Sequence, residues 1–177
     1  WTINPSAKQD HHSKMYEFMG ALMGMSLRSG QPMDFRLPSI FWKQLRPGEA
    51  ITMEDLLNFD AYTYQALKNI QKNRTEMTKQ EFENQNELTW ATQTSDGETV
   101  LLCQDGESKK VPYEYVSKYC QAVLKARTEE ANTQIYHIRK GFNRIMDLNS
   151  LNFLKCSDIE GMIRGSLEIS IEDLKSC

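Results

Sequence analysis

The chain lacks the features by which most enzymes and membrane proteins announce themselves. Its four cysteines, Cys103, Cys120, Cys156 and Cys177, never stand at C-x-x-C spacing, which argues against a zinc ribbon or a thioredoxin-like redox pair. No run approaches the ~18 apolar residues of a membrane span, and no apolar stretch resembling a secretory leader opens the chain. There is no G-x-S-x-G, no Walker-type glycine loop, no H-E-x-x-H and no Rossmann fingerprint. Charge of one sign is also missing: 21 Lys and Arg stand against 24 Asp and Glu, a net −3, so nothing draws the chain to nucleic acid. The basic pairs Lys109-Lys110 and Arg139-Lys140 read as solvated surface. His11 and His12 are adjacent, cannot share a helix face, and have no third ligand nearby. His137, between Ile135 and Ile138, reads as structural. No metal and no cofactor is expected, and no catalytic residue. The expectation is an intracellular, cytoplasmic protein with no membrane partner, in which Asn73-Arg74-Thr75 matches a glycosylation acceptor by chance.

What is present suits one folded domain with a small appended subdomain. Of 177 residues, 40% are apolar and 25% charged, which excludes gross disorder. Trp1–Lys14 reads as an extended lead-in. Met15, Phe18, Met19, Leu22 and Met23 then recur at i, i+3, i+4, i+7, i+8, one apolar stripe on a helix facing the core. Gly20 and Gly24 interrupt it at about 1 kcal/mol each, a cost best tolerated where another element approaches the backbone. Gly30 and Pro32 end this helix. Pro38 opens a short one with Ile40, Phe41 and Leu45 inward, stopped by Pro47-Gly48. Thr52 with Asp55, Asp60, and Thr78 with Glu81 cap three more, and Thr63, Tyr64, Leu67, Ile70 and Gln71 share one side of the helix behind Asp60.

The middle of the chain changes character. Leu88–Thr94 and Thr99–Cys103 are β-prone runs joined by Ser95-Asp96-Gly97-Glu98, and Asp-Gly is a strong hairpin signal. A second turn at Gln104-Asp105-Gly106 leads to a third short strand at Lys109–Val111. Helical spacing resumes with Tyr115, Tyr119, Val123 and Ala126, then Ile135, Ile138, Phe142 and Ile145, as one helix or as two joined near Thr128–Ala131. Cys120 and Cys156 sit among apolar positions as buried thiols. Ser157 with Glu160 caps a helix carrying Ile159, Met162 and Ile163 and ending at Gly165, and a last short helix starts from Ser170. The fold class is α+β, mainly helical, with a β-hairpin insert.

Order and spacing carry the reading further. Phe18-Met19-Gly20-Ala21-Leu22-Met23-Gly24, with Tyr16-Glu17 before it and Met25-Ser26-Leu27 after, resembles the glycine-bearing helix of HECT-type ubiquitin ligases. Pro32-Met33-Asp34-Phe35, Phe41-Trp42-Lys43-Gln44-Leu45, Ile51–Leu56, Tyr64-Gln65-Ala66-Leu67, Leu88-Thr89-Trp90, Val111-Pro112, Gly141-Phe142 and Ile159-Glu160…Gly165-Ser166 follow in that family's order over almost the whole chain. Trp42-Lys43 and Ser26-Leu27-Arg28 resemble the large HERC-like branch.

The resemblance implies a piece of the amino-terminal lobe of a bilobal E3 ubiquitin transferase. That lobe docks a ubiquitin-loaded conjugating enzyme (E2). A carboxy-terminal lobe takes ubiquitin on a cysteine in a threonine-cysteine-phenylalanine context, which nothing here matches, so the chain alone is expected to be inactive. Protein substrates are expected to engage regions outside this chain. Residues 1–46 and 113–177 would belong to the larger helical subdomain, incomplete at both ends, and 47–112 to the small E2-binding one. Carried over by position, the E2 groove involves Thr63, Ala66 and Leu67, with Asn86 and Leu88 from the start of the β-ribbon and Tyr119 behind it. Thr63 and Asn86 depart from the larger apolar residues expected there, and Arg164 replaces a cysteine. Helices absent from the chain would leave the Met15–Met23 and Phe142–Met146 faces exposed and favour weak self-association. The alternative is a non-catalytic interaction scaffold of the same fold.

Overall fold

The computed structural model describes residues 1–165; the short helix expected from Ser170 lies outside them. Those residues are mainly helical, with one two-stranded antiparallel sheet, the α+β class expected. They form two compact units. Among the described residues one comprises Trp1–Ile3, Ala7–Ile51 and 133–165; the other comprises Asn4–Ser6 and Thr52–Asn132. The second unit contains most of the expected insert and runs on past Pro112.

In the first unit α1 spans Asp10–Ser29. It begins earlier than the lead-in reading allowed, because Asp10 supplies an acid in the first turn, where the helix dipole favours it. Gly30 ends it in the left-handed conformation at φ 67°, which glycine adopts without Cβ strain. The buried face is not the methionine stripe. Glu17, Gly20, Met23, Gly24 and Ser26 are buried, while Met15 and Phe18 are exposed. The reason is the approach of α7, Asn132–Asn143. A methyl at Gly20 would fall on the carbonyl of Ile138, and one at Gly141 on the carbonyl of Glu17. Two glycines therefore face each other's backbones, and the apolar stripe is turned partly outward.

Glu17 is drawn into the same crossing by charge. Its carboxylate accepts from Lys140 Nζ at 2.7 Å and pairs with Arg144 Nη2 at 2.6 Å and His137 Nδ1 at 3.2 Å. The Lys140 and then the His137 hydrogen bond, with the Arg144 charge, hold this carboxyl below its usual range against desolvation. The core beyond it joins Met23, Phe41, Trp42 and Leu45 to Ile135, Ile138, Phe142, Leu148, Leu151, Ile159 and Ile163. Phe142 is fully buried, which overturns its expected exposure. α2, Ser39–Leu45, follows Pro38 as expected. α8, Cys156–Arg164, starts one residue before the expected cap: the Lys155 N–H donates to Asp158 Oδ2 at 3.0 Å. Arg164 pairs with Glu160 at 3.0 Å and lies 3.6 Å from Asp34.

The second unit opens with α3, Met53–Phe59, under a Thr52–Asp55 capping box. Asp60 caps α4, Ala61–Glu76, by accepting from the Thr63 N–H at 3.0 Å. Thr78 and Glu81 box α5, Lys79–Gln85. β1, Ala91–Gln93, pairs with β2, Thr99–Leu101, in the register Ala91↔Leu101, Thr92↔Val100, Gln93↔Thr99. The expected third strand is reduced to one antiparallel bridge, Thr89↔Lys110, because Asp105 at φ 58° and Gly106 turn the chain tightly against the Trp90 carbonyl. α6, Val116–Glu129, is separate from α7. Its inward face is Val116, Tyr119, Cys120, Val123 and Arg127; Tyr115 stays exposed in a preceding 3-10 turn. That face packs with Leu56, Leu67, Phe82 and Val111, which is why this unit reaches beyond Pro112.

Alanine at two helical glycines should act with opposite sign. Gly20→Ala gains about 1 kcal/mol of helix propensity but overpacks a backbone crossing, so a net loss of about 2 kcal/mol is expected. Gly161 in α8 is exposed with open space where a Cβ would stand, so Gly161→Ala should stabilise by about 0.5–1 kcal/mol. Urea unfolding of both variants checks the pair.

Candidate protein-docking groove

Within the second unit α4, the hairpin and α6 enclose a groove of about 400 Å³. Tyr62, Thr63, Ala66, Leu67 and Ile70 line it from α4, Thr92, Gln93 and Thr94 from the hairpin, and Tyr119, Val123 and Arg127 from α6, with Asp60 at the α4 cap. The residues follow from helical spacing, since 63, 66, 67 and 70 rise along one face of α4. Leu67 and Tyr119 form a floor only 2% and 8% exposed, whereas Tyr62 stands on the rim at 86%. Trp90 meets Tyr119 edge to face at 6.0 Å, a contact worth about 0.5–1.5 kcal/mol beyond its area. Burial pushes the Tyr119 hydroxyl up from its ordinary range.

Of the six positions singled out from the resemblance, Thr63, Ala66, Leu67 and Tyr119 come together here, and the other two lie elsewhere. Asn86 ends α5, where its side-chain amide donates to the Phe82 carbonyl at 3.0 Å. Leu88 packs on the core, and its carbonyl accepts from the Val111 N–H at 2.9 Å. Both are committed to the fold.

One end of the groove is built on a buried cation. The Arg127 side chain is 6% exposed and donates to Asp60 Oδ2 through Nε at 3.0 Å and Nη2 at 2.7 Å. Its Nη1 reaches Glu130 Oε2 at 2.5 Å, and the guanidinium lies 5.8 Å from the Phe59 ring centroid. Glu130 in turn accepts from the Ser95 N–H and hydroxyl, so the hairpin tip, α4 and α6 share one network. Burial pushes the Asp60 carboxyl up, but hydrogen bonds from Thr63 and Arg127 and the arginine charge together hold it below its usual range. Sequence reasoning missed Arg127 and Tyr62. Arg127 stands four residues beyond Val123 and eight beyond Tyr119, on the stripe itself, and its charge masked it as surface.

Removing one partner of a buried pair leaves a charge without compensation. Arg127→Ala should therefore cost about 3 kcal/mol and shift the amide signals of both Thr63 and Ser95. Since the folded-state pKa of Asp60 lies below its unfolded value, its ionised form stabilises the fold at neutral pH. That contribution fades as pH falls through and below the ordinary carboxylate range. Asp60→Asn should be less stable at pH 7 and show a shallower loss towards acid, readable from unfolding midpoints at a series of pH values.

A family model described as HECT-domain (ubiquitin-transferase) matches residues 1–177. The chain is 28% identical over 176 residues to the E3 ubiquitin-protein ligase HERC2 of Homo sapiens, covering 99% of this chain and 4% of that protein. It is 27% identical to HERC2 of Mus musculus over the same shares. To the probable E3 ubiquitin-protein ligase HECTD4 of Homo sapiens it is 26% identical over 197 residues, covering 99% of this chain and 5% of that one. The chain thus spans a small part of the length of the relatives it matches. Matched by the family model from its first residue to its last, the chain belongs to the HECT-domain family.

Proposed function

We propose that this chain is part of a HECT-type E3 ubiquitin-protein ligase, and that the groove between α4, the hairpin and α6 docks a ubiquitin-loaded E2. The observation that carries the reading is the meeting of Thr63, Ala66, Leu67 and Tyr119 in one groove beneath an exposed Tyr62. An apolar floor with an aromatic rim takes a protruding apolar or aromatic side chain from a partner's loop, and such anchors dominate interface energies. Membership of a family described as ubiquitin transferases, and relatives named as E3 ligases, supply the chemistry.

The ubiquitin-accepting thiol of this reading lies in another lobe of the parent protein. Transthiolation requires attack by a thiolate, and two of this chain's thiols are unsuited to it. Cys120 and Cys156 are buried, and burial pushes both thiols up from their ordinary range. Ubiquitin and the E2 are the partners here, with protein substrates held by regions outside the chain. A scaffold that uses the same groove for another protein is favoured by its polar side, Thr63 and Thr92–Thr94.

Titrating the isotope-labelled chain with a panel of E2 enzymes separates the two. The expected result is that at least one E2 shifts the signals of Tyr62, Thr63, Ala66 and Thr92. Tyr62→Ala should weaken that complex by about 1–3 kcal/mol, while Phe153→Ala, an exposed aromatic in the other unit, leaves it unchanged. Leu67 and Tyr119 are poorer probes, since truncating either also empties the core. If no E2 of the panel moves these signals, the docking reading fails and the scaffold remains.

A further inference from the structure

The hairpin side of the groove ends in a turn held to α6 through a serine. Ser95 is exposed, yet its backbone N–H donates to Glu130 Oε2 at 3.1 Å and its hydroxyl donates to Glu130 Oε1 at 2.8 Å. The Glu130 side chain is 4% exposed and already paired with Arg127, which also answers Asp60. One cation thus meets two carboxylates, and the network carries a formal −1 before Ser95 is considered. Asp96 and Glu98 follow Ser95 in the turn. Asp96 accepts from the hydroxyls of Thr94 at 2.5 Å and Ser6 at 3.1 Å. Thr92, Gln93 and Thr94, which line the groove, immediately precede Ser95.

We propose that Ser95 is a phosphorylation site whose modification releases the hairpin from α6 and loosens the groove. An exposed serine on a β-turn, with carboxylates one and three residues after it, suits an acid-directed protein kinase using ATP. In that transfer Ser95 Oγ attacks the γ-phosphorus, and the Oγ–P bond forms as the bond from γ-phosphorus to the β,γ-bridging oxygen breaks. ADP leaves, and the hydroxyl proton passes to the kinase's base. The product loses the proton that Glu130 accepted and places a charge of about −1.5 to −2 beside that carboxylate. Phosphoserine orders a segment when arginines are free to receive it and disrupts one beside Asp or Glu. Here Arg127 is already shared between two carboxylates, so repulsion governs and the strand side of the groove moves away from α6. The consequence for docking rests on the groove being the docking site; the release of the hairpin does not.

The test treats the whole 177-residue chain with an acid-directed kinase and Mg-ATP, maps phosphate by mass spectrometry, and follows amide hydrogen exchange with and without phosphate. The expected result is phosphate on Ser95, lost in Ser95→Ala. Exchange at the Ser95 amide should quicken at least tenfold, with smaller increases through β1 and β2. Glu130→Gln keeps an acceptor but removes the opposing charge, so the phosphorylated E130Q chain should show less than half of that acceleration. No phosphate at Ser95, or phosphate with unchanged exchange, overturns the proposal. An E2 titration of the same samples keeps the two readings apart. Faster exchange together with a groove that no E2 perturbs would retain the latch and reject the docking site.

Discussion

With only 6% of its side chain exposed, Arg127 holds a charge away from water, and a guanidinium so placed must be met by carboxylates on several sides. Asp60 and Glu130 meet it, and each has a second task. Asp60 caps α4 through the Thr63 N–H, while Glu130 receives the turn of the hairpin. The relative placement of α4, α6 and the β-ribbon within this unit is therefore written into one ion cluster. A lone hairpin is marginal in water, and this one, with three paired residues on each strand, relies on that anchor and on the Trp90–Tyr119 contact. A buried ion pair is weak evidence for stability, since apolar side chains of the same volume often serve as well. Its return here is geometric: Nε and Nη2 of Arg127 converge on one oxygen of Asp60 while the other oxygen holds the Thr63 N–H, so the carboxylate ties α6 to the start of α4 in one orientation.

In the other unit the governing constraint is steric. Gly20 and Gly141 face each other's neighbouring carbonyls, so α1 and α7 pack at backbone distance. That contact decides which face of α1 is buried. It draws Glu17 inward, where Lys140, Arg144 and His137 gather around it, and turns Met15 and Phe18 outward. The spacing of the two glycines in α1 is what the crossing requires, and α1 contributes no residue to the lining of the groove.

What could be read from the sequence follows from how local its cause was. The caps at Thr52, Asp60 and Thr78, the Gly30 terminus and the Asp96-Gly97 turn are set by residues within four positions, and all are present. The face of α1 was misjudged because periodicity measures apolarity, whereas a distant helix selected the glycines. The third strand was overestimated because the tightness of the Asp105-Gly106 turn depends on Trp90, outside its own window. Four groove residues were legible because they share faces of α4 and α6. Asn86 and Leu88 were not separable from them, since their commitment to the Phe82 carbonyl and the core is tertiary. Arg127 lay on the buried stripe, but a lone arginine there gives no sign that its carboxylates are waiting at positions 60 and 130.

The floor of the groove and the core of its unit are the same side chains. Leu67 and Tyr119 pack with Leu56, Phe82 and Val116 on one side and line the open space on the other. On the proposed docking reading, such residues offer a partner a surface that is already ordered, so little entropy would be lost there on binding. They cannot also adapt to different partners, because moving them disturbs close packing. On that reading, discrimination between partners falls to the rim. Tyr62 is exposed, Ala66 carries only a methyl group, and Thr63 and Thr92 bring hydroxyls that would penalise an apolar group leaving them unmet. At Thr63 a larger apolar residue would add contact area; threonine supplies a polar edge instead. On the proposed docking reading, the matching partner would present an apolar anchor carrying a hydrogen-bonding group to the side of the groove between Tyr62 and the hairpin.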